Sequence, residues 1–251
     1  MSRSPDWPEG YDLIHLEKVD STMAEARRRA ADLTGPTWIV ADMQTAAHGR
    51  RGRAWANPKG NFAGTLVLRP SASAEVVALR SFVAALALHE AFVSLTGRSS
   101  GFALKWPNDV LLNGGKLAGI LLESQGQGGQ VDLLSIGIGV NLVAAPDAEG
   151  LEQGAVAPTA LSQTGVYLTA TEFLPALAAA YAQWETRFAT YGFAPVREAW
   201  LARAARLGEV ITARTGRESL PGTFETVDEQ GNLVLKTAQG RRAIPAADIY
   251  F

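Results

Sequence analysis

The chain has 251 residues, of which 47% are hydrophobic and 19% charged, with a formal net charge of −2 and no cysteine. Lack of cysteine excludes a disulfide framework, a thiolate nucleophile and any Cys-based metal centre, and the near-neutral balance argues against a dedicated nucleic-acid binder. The N-terminal stretch MSRSPDWPEGYDLIHLEKVD holds no signal-peptide run and no later stretch approaches a membrane span, so cytoplasmic residence is the default expectation.

The first helix is expected in VDSTMAEARRRAADL, where Thr22 and Glu25 have capping-box spacing. TWIVADMQ reads as a strand that runs into the loop HGRRGRAW, and NFAGTLVLRP as a second strand stopped by Pro70. One long, mostly apolar helix is predicted from Ala74 to Leu95, closed by Gly97. FALKWPND, VLLNGG, KLAGILLESQ and VDLLSIGIGVNL follow as β-type runs, with NGG as a hairpin signal. Residues 144 to 165 read as loop. A helix then starts at a second capping box, Thr169 with Glu172, and stops at Gly192; another runs from Pro195 to about Leu207. Beyond Gly208 the short β segments and tight turns have the texture of a small β-barrel, too small to be secure alone and therefore expected to dock on the rest.

Three arginines among the glycines of HGRRGRAW suggest an anion site, because guanidinium forks match carboxylate and phosphate oxygens. A solvated loop or a phosphate-backbone contact would leave the same signature. Residues 47 to 54 carry no large apolar side chain, so nothing local offsets the entropy of ordering them, and the loop is expected to order on ligand binding. KWPNDVLLNGGKLAGILLE is more specific: Lys105 and Lys116 flank one hairpin, and Trp-Pro-Asn-Asp sits at a strand end. Each lysine alone could simply snorkel from an edge strand. In GIGVNL, glycines at alternate positions leave one strand face bare, either for close packing or as a floor for a flat ring. Ser21 and Thr22 are fully explained by capping, yet a helix N-terminus is also a ready anion site. His15, His48 and His89 show no metal-ligand spacing.

In order along the chain, DSTMAEA, QTAAHGRRGRAW, KWPNDVLLNGGKLAGILLE and GIGVNL resemble the biotin–protein ligases. The resemblance implies an α+β fold: a mixed β-sheet backed by helices, class II synthetase-like, with a small C-terminal SH3-like β-barrel. It divides the chain into a catalytic domain over 1–207 and the small domain over 208–251. It implies an enzyme that activates biotin with ATP as biotinyl-5′-AMP and transfers it to a lysine of a biotin carboxyl carrier domain, with Mg²⁺ accompanying the ATP. By matching positions, Ser21, Thr22 and Gln44 surround the biotin ureido ring, His48 and Gly49 lie beside biotin in the adenylate loop, and Gly119 and Gly137 line its apolar slot. Arg50 and Lys116 become the catalytic pair, reaching the reacting oxygens from opposite sides. Arg53, Trp55, Lys105, Asn108 and Asn141 fall on the nucleotide side with Arg50. The resemblance does not fix which residues contact the Mg²⁺.

Two departures stand out: Met23 replaces the usual asparagine after Ser-Thr, and Ala47-His48 stands where Gly-Arg is commoner. With Ser-Thr beginning at residue 21, no N-terminal helix-turn-helix module is expected. Neither a nucleic acid nor a membrane is expected as a partner, and a homodimer stays open. The rivals are a lipoate or octanoate ligase, a non-catalytic biotin sensor and an RNA-binding module. KWPND and the arginine loop argue against the first, the presence of Arg50 and Lys116 gives no reason for the second, and the acidic balance disfavours the third.

Overall fold

The structure, a computed structural model, describes residues 7–147, 154–216 and 218–251. Eight strands form the main sheet: β1 (Asp12–Val19), β2 (Thr37–Gln44), β3 (Phe62–Leu68), β4 (Ala72–Ser73), β5 (Phe102–Lys105), β6 (Asp109–Leu112), β7 (Gly115–Gln127) and β8 (Gln130–Val140). The order is β1-β2-β3-β8-β7-β6-β5, with β4 paired to β8. Only β1 and β2 run parallel; the other pairs are antiparallel, so the sheet is mixed. The family resemblance anticipated this class.

Strand β1 was not anticipated. Its DLIHLEKV alternates, but exposed Leu13 spoils the inward face of the pattern. Ile14 and Leu16 pack from it against a small cluster around Ala26 and Ile39. Helix α1 (Thr22–Arg29) begins after Ser21, but the expected Thr22–Glu25 box does not form. Thr22 instead donates both its backbone N–H and its hydroxyl to Gln44 Oε1, at 2.8 and 3.1 Å, while Glu25 turns to Arg28 and Arg29.

The predicted long helix is divided at Leu79 into α2 (Ala74–Ala78) and α3 (Arg80–Thr96), which ends on Gly97 at φ 66°. Ala74–Thr96 is long and apolar enough to cross a bilayer by length and composition, which corrects the expectation that no stretch approaches such a span. Here 72% of that apolar window is buried within the protein, as in the core helix of a globular domain. It packs on α4 (Ala170–Tyr191), whose Thr169–Glu172 capping box forms as expected. Arg80 reaches across to Glu185 at 2.7 Å, under the Phe188 ring. The next helix, α5 (Phe193–Leu201), starts before Pro195 and ends short of Leu207, leaving turns over residues 202–208.

The C-terminal segment forms β9 (Val210–Arg214), β10 (Ser219–Val227), β11 (Leu233–Thr237), β12 (Gly240–Ile244) and β13 (Asp248–Tyr250). They make a five-stranded antiparallel sheet in the order β12-β11-β10-β9-β13, consistent with an SH3-like domain. Phe224, Leu233, Leu235 and Ile249 join the same hydrophobic cluster as the main domain, so the small sheet docks through a continuous core. Trp106 Nε1 donates to Gly231 O at 3.0 Å across that junction.

His89 on α3 is 8% exposed, and burial lowers its pKa from 6.5 to about 4, with the nearby charge of Arg203 acting in the same direction. The folded state thus favours a neutral ring that the unfolded chain protonates near pH 6.5. Its contribution to stability is full above that pH and is lost as pH falls toward 4, by up to about 3 kcal/mol. Denaturant titrations across this window should show His89→Phe losing less stability than the wild type; parallel losses would contradict the assignment.

Candidate active site

A cavity of about 410 Å³ opens where strands β7 and β8, the start of α1, the arginine loop and the end of the C-terminal sheet meet. Every residue that the sequence singled out for a site lines it: Ser21, Thr22, Gln44, His48, Gly49, Arg50, Arg53, Trp55, Lys105, Asn108, Lys116, Gly119, Gly137 and Asn141. The wall also includes Met23, Asp109 and Asp248.

One end is close-packed. Ser21 and Thr22 are buried, and Thr65 on β3 donates to the Thr22 hydroxyl at 2.8 Å, completing a chain from Thr65 through Thr22 to Gln44. A side chain at Gly137 would place its Cβ 2.8 Å from Met23 Sδ, so the bare strand face here is what admits the methionine. One register step away, Gly119 on β7 lies opposite Gly139 on β8. The Trp55 ring rests on this pair: a Cβ on Gly139 would fall 2.4 Å from it, and one on Gly119 3.0 Å. Of the alternate glycines, Gly139 thus joins Gly119 in a floor for a flat ring, the protein's own indole in this structure, while Gly137 lies under Met23.

The loop closes on itself by a bridge between His48 and Ala54, with Gly49 N–H donating to Arg53 O at 2.7 Å. Arg50–Gly52 forms a 3₁₀ turn in which Arg51 holds φ 57°, a left-handed conformation unfavourable for a residue with a Cβ. His48 Nε2 stands 3.3 Å from Glu123 Oε1, whose other oxygen takes Arg27. Arg50 donates to Asn108 Oδ1 at 3.2 Å and to Ala247 O at 3.3 Å. Burial lowers its pKa, opposed by Asp248 and Asp109, yet a guanidinium stays charged in any protein setting.

Lys116, on β7 beyond the Asn113-Gly114 turn, lies 2.7 Å from Asp109 Oδ1, an ion-pair contact not aligned as a hydrogen bond, and 5.5 Å from the Trp55 ring centroid. Lys105 approaches the other Asp109 oxygen at 3.9 Å; burial lowers its pKa, opposed by Asp109. Asn108 fixes its carboxamide by donating to Ile120 O at 2.7 Å. A cis Trp106–Pro107 peptide leads into this turn. Asn141 is buried, and its amide donates to Thr159 O at 3.0 Å, so much of its polar capacity already serves the adjoining chain.

Sequence reasoning missed three contributors. Asn61, before β3, accepts from the N–H groups of Val143 and Ala144 and donates to Oδ1 of the cavity-lining Asn141 at 3.4 Å. Asp109, which the sequence places only at a strand end, sits between the two lysines. Asp248, far along the chain, collects Arg51 and Arg53 at 2.9 and 3.0 Å and Arg50 at 3.6 Å. The acid following Trp-Pro-Asn was a visible signal for Asp109; no local signal marked Asp248.

The profile of the Biotin/lipoate A/B protein ligase family matches residues 14–141, and that of the Biotin protein ligase C terminal domain matches residues 207–251. A biotin–[acetyl-CoA-carboxylase] ligase of Paracoccus denitrificans is 54% identical over 237 residues, covering 94% of this chain and 99% of the relative. The bifunctional ligase/repressor BirA of Bacillus subtilis (strain 168) is 30% identical over 242 residues, covering 96% of this chain and 74% of the relative. A solved structure of biotin protein ligase from Aquifex aeolicus, in complex with biotin and ATP, aligns with a TM-score of 0.79 at 27% identity, covering 95% and 97% of the two chains. Matched in both its parts, the chain belongs to the biotin/lipoate A/B protein ligase family and is an enzyme of its biotin protein ligase branch.

Proposed function

We propose that this enzyme activates biotin with ATP and transfers it to one lysine of a biotin carboxyl carrier domain. A biotin carboxylate oxygen attacks the α-phosphorus of ATP; pyrophosphate leaves and biotinyl-5′-AMP forms. The carrier lysine, as the free amine, then attacks the acyl carbon; an amide forms, AMP leaves and the amine gives up a proton. The observation that carries the reading is the meeting of Arg50 and Lys116, from a loop and from a strand, on one cavity. Two anions must approach in the first step, and two fixed cations offset their repulsion where charge builds in the transition state. Asp109 holds Lys116, and Asn108 holds Arg50, so neither cation has to be ordered at the moment of reaction.

The roles divide along the cavity. Ser21, Thr22 and Gln44 offer polar groups to the ureido ring, His48 and Gly49 flank the acyl chain, and Gly119 and Gly137 let Trp55 and Met23 form its apolar walls. Arg53, Trp55, Lys105, Asn108 and Asn141 face the nucleotide. The relatives support this: the Aquifex aeolicus structure is described with biotin and ATP, and the Paracoccus denitrificans relative is named for acetyl-CoA carboxylase. Mg²⁺ enters as part of the ATP substrate.

Incubation with MgATP, biotin and a carrier domain should add one biotinyl mass to one carrier lysine. No gain with biotin, or an equal gain with lipoate, would overturn the reading. The Trp55 floor gives a further expectation. Gly139→Ala forces the indole off its platform, because the added methyl cannot coexist with the ring at 2.4 Å. ATP affinity should drop roughly 10-fold, in line with the loss of one stacked contact. Calorimetry with a non-hydrolysable ATP analogue measures it, and unchanged affinity would remove Trp55 from the nucleotide site.

A further inference from the structure

The arginine loop has no apolar anchor of its own, yet its charges converge on one point outside the catalytic domain. Asp248 opens β13 in the C-terminal sheet, and its side chain is only 14% exposed. Arg51 Nη1 and Arg53 Nη2 share its Oδ2 at 2.9 and 3.0 Å, while Arg50 Nη1 lies 3.6 Å from Oδ1. The neighbouring Ala247 carbonyl accepts from Arg50 Nη2 at 3.3 Å, so backbone and carboxylate of one short segment hold the same residue. The segment is rigid where it matters: Asp248 and Tyr250 pair in register with Arg214 and Thr212 of β9, and Ala247 and Ile249 are buried in the common core. Asp248 thus stands on a fixed strand and gathers all three arginines of the loop, in addition to the Arg50–Asn108 hydrogen bond within the catalytic part.

We propose that Asp248 is a positioning residue for the ligase reaction: it gathers the arginine loop onto the C-terminal sheet and so holds Arg50 at the cavity before the nucleotide arrives. The inference rests on the role given to Arg50 under the proposed function. The guanidiniums gathered on Asp248 stay cationic, so the loop is both ordered and attractive to phosphate. Once the triphosphate is bound it holds the same arginines itself. Loss of Asp248 therefore weakens capture of ATP and spares turnover of the bound substrate.

The test pairs limited trypsin digestion, read by mass spectrometry at Arg50, Arg51 and Arg53, with steady-state kinetics. Without ligands, Asp248→Asn should be cut in the loop several-fold faster than wild type, and MgATP with biotin should restore protection. KM for ATP should rise roughly 5- to 20-fold, the lower part of what a charged hydrogen-bond partner contributes, since the arginines are partly exposed. kcat should stay within about threefold, and Asp248→Glu should recover most of the KM. If Asp248→Asn loosens the whole protein and is cut throughout, Arg51→Gln replaces it, and loop cleavage should still rise. Unchanged loop cleavage, a fall in kcat with KM intact, or equal behaviour of the Asn and Glu variants overturns the inference. A wild type that makes no biotinyl-AMP instead overturns the proposed function, and the cleavage comparison still reads the contact on its own.

Discussion

Lys116→Ala is expected to slow adenylate formation by about 10²- to 10³-fold, the usual effect of deleting one fixed charge that meets a transition state. Biotin binding should change by only a few-fold, because the lysine sits against Asp109 and Trp55 and not among the groups around Ser21 and Thr22. The substitution also leaves Asp109, 9% exposed, without its nearest cation. A carboxylate at this depth left with only the more distant Lys105, at 3.9 Å, costs about 1–3 kcal/mol of stability, so the double variant Lys116→Ala/Asp109→Asn should regain stability but not rate. Single-turnover pyrophosphate release separates the two effects. A rate within a few-fold of wild type would make Lys116 a purely structural partner of Asp109.

Arg50→Gly is expected to turn a selective ligase into a leaky one. Arg50 is a charge-assisted donor at the cavity, tied to Asn108 and to the C-terminal segment. Loss of such a bond to the adenylate phosphate corresponds to about 1.5–3 kcal/mol, or roughly 10- to 150-fold weaker retention. Glycine next to Gly49 also loosens the turn that Arg51 already holds at φ 57°. Lys116 remains to support some activation, and the mixed anhydride then escapes and acylates exposed lysines on bystander proteins. A streptavidin blot of added albumin measures this at equal enzyme concentration. A variant that labels only the carrier, or makes no adenylate, would show that Arg50 does not chiefly retain the intermediate.

Legibility in the sequence followed the range of the interactions. TWIVADMQ, the Thr169–Glu172 box and the Asn113-Gly114 turn are local features, and they form where the residues place them. The glycines of GIGVNL could be read as a bare face, but not which ring lies on it, since Trp55 reaches that floor from a different segment. Thr22 misled for a related reason: its hydroxyl suits a cap, and only the fold brings Gln44 close enough to take it. Strand β1 escaped because an edge strand need bury only part of each face. Asp248 lies 197 residues from Arg51, and no spacing rule connects a lone aspartate before Ile-Tyr-Phe with an arginine loop that far upstream. The sequence offers the loop no large apolar anchor, and the polar anchor at Asp248 lies too far along the chain to be read locally.

The central claim is that the cavity joins a biotin carboxylate to the α-phosphate of ATP between Arg50 and Lys116. Rapid mixing of the enzyme with MgATP and excess biotin, with no carrier present, tests it most directly by the stoichiometry of pyrophosphate released. A burst of one pyrophosphate per active site, dependent on biotin, absent with lipoate or octanoate and lost together with Lys116, is the predicted result. Pyrophosphate release that ignores biotin, or an equal burst with lipoate, would contradict the account.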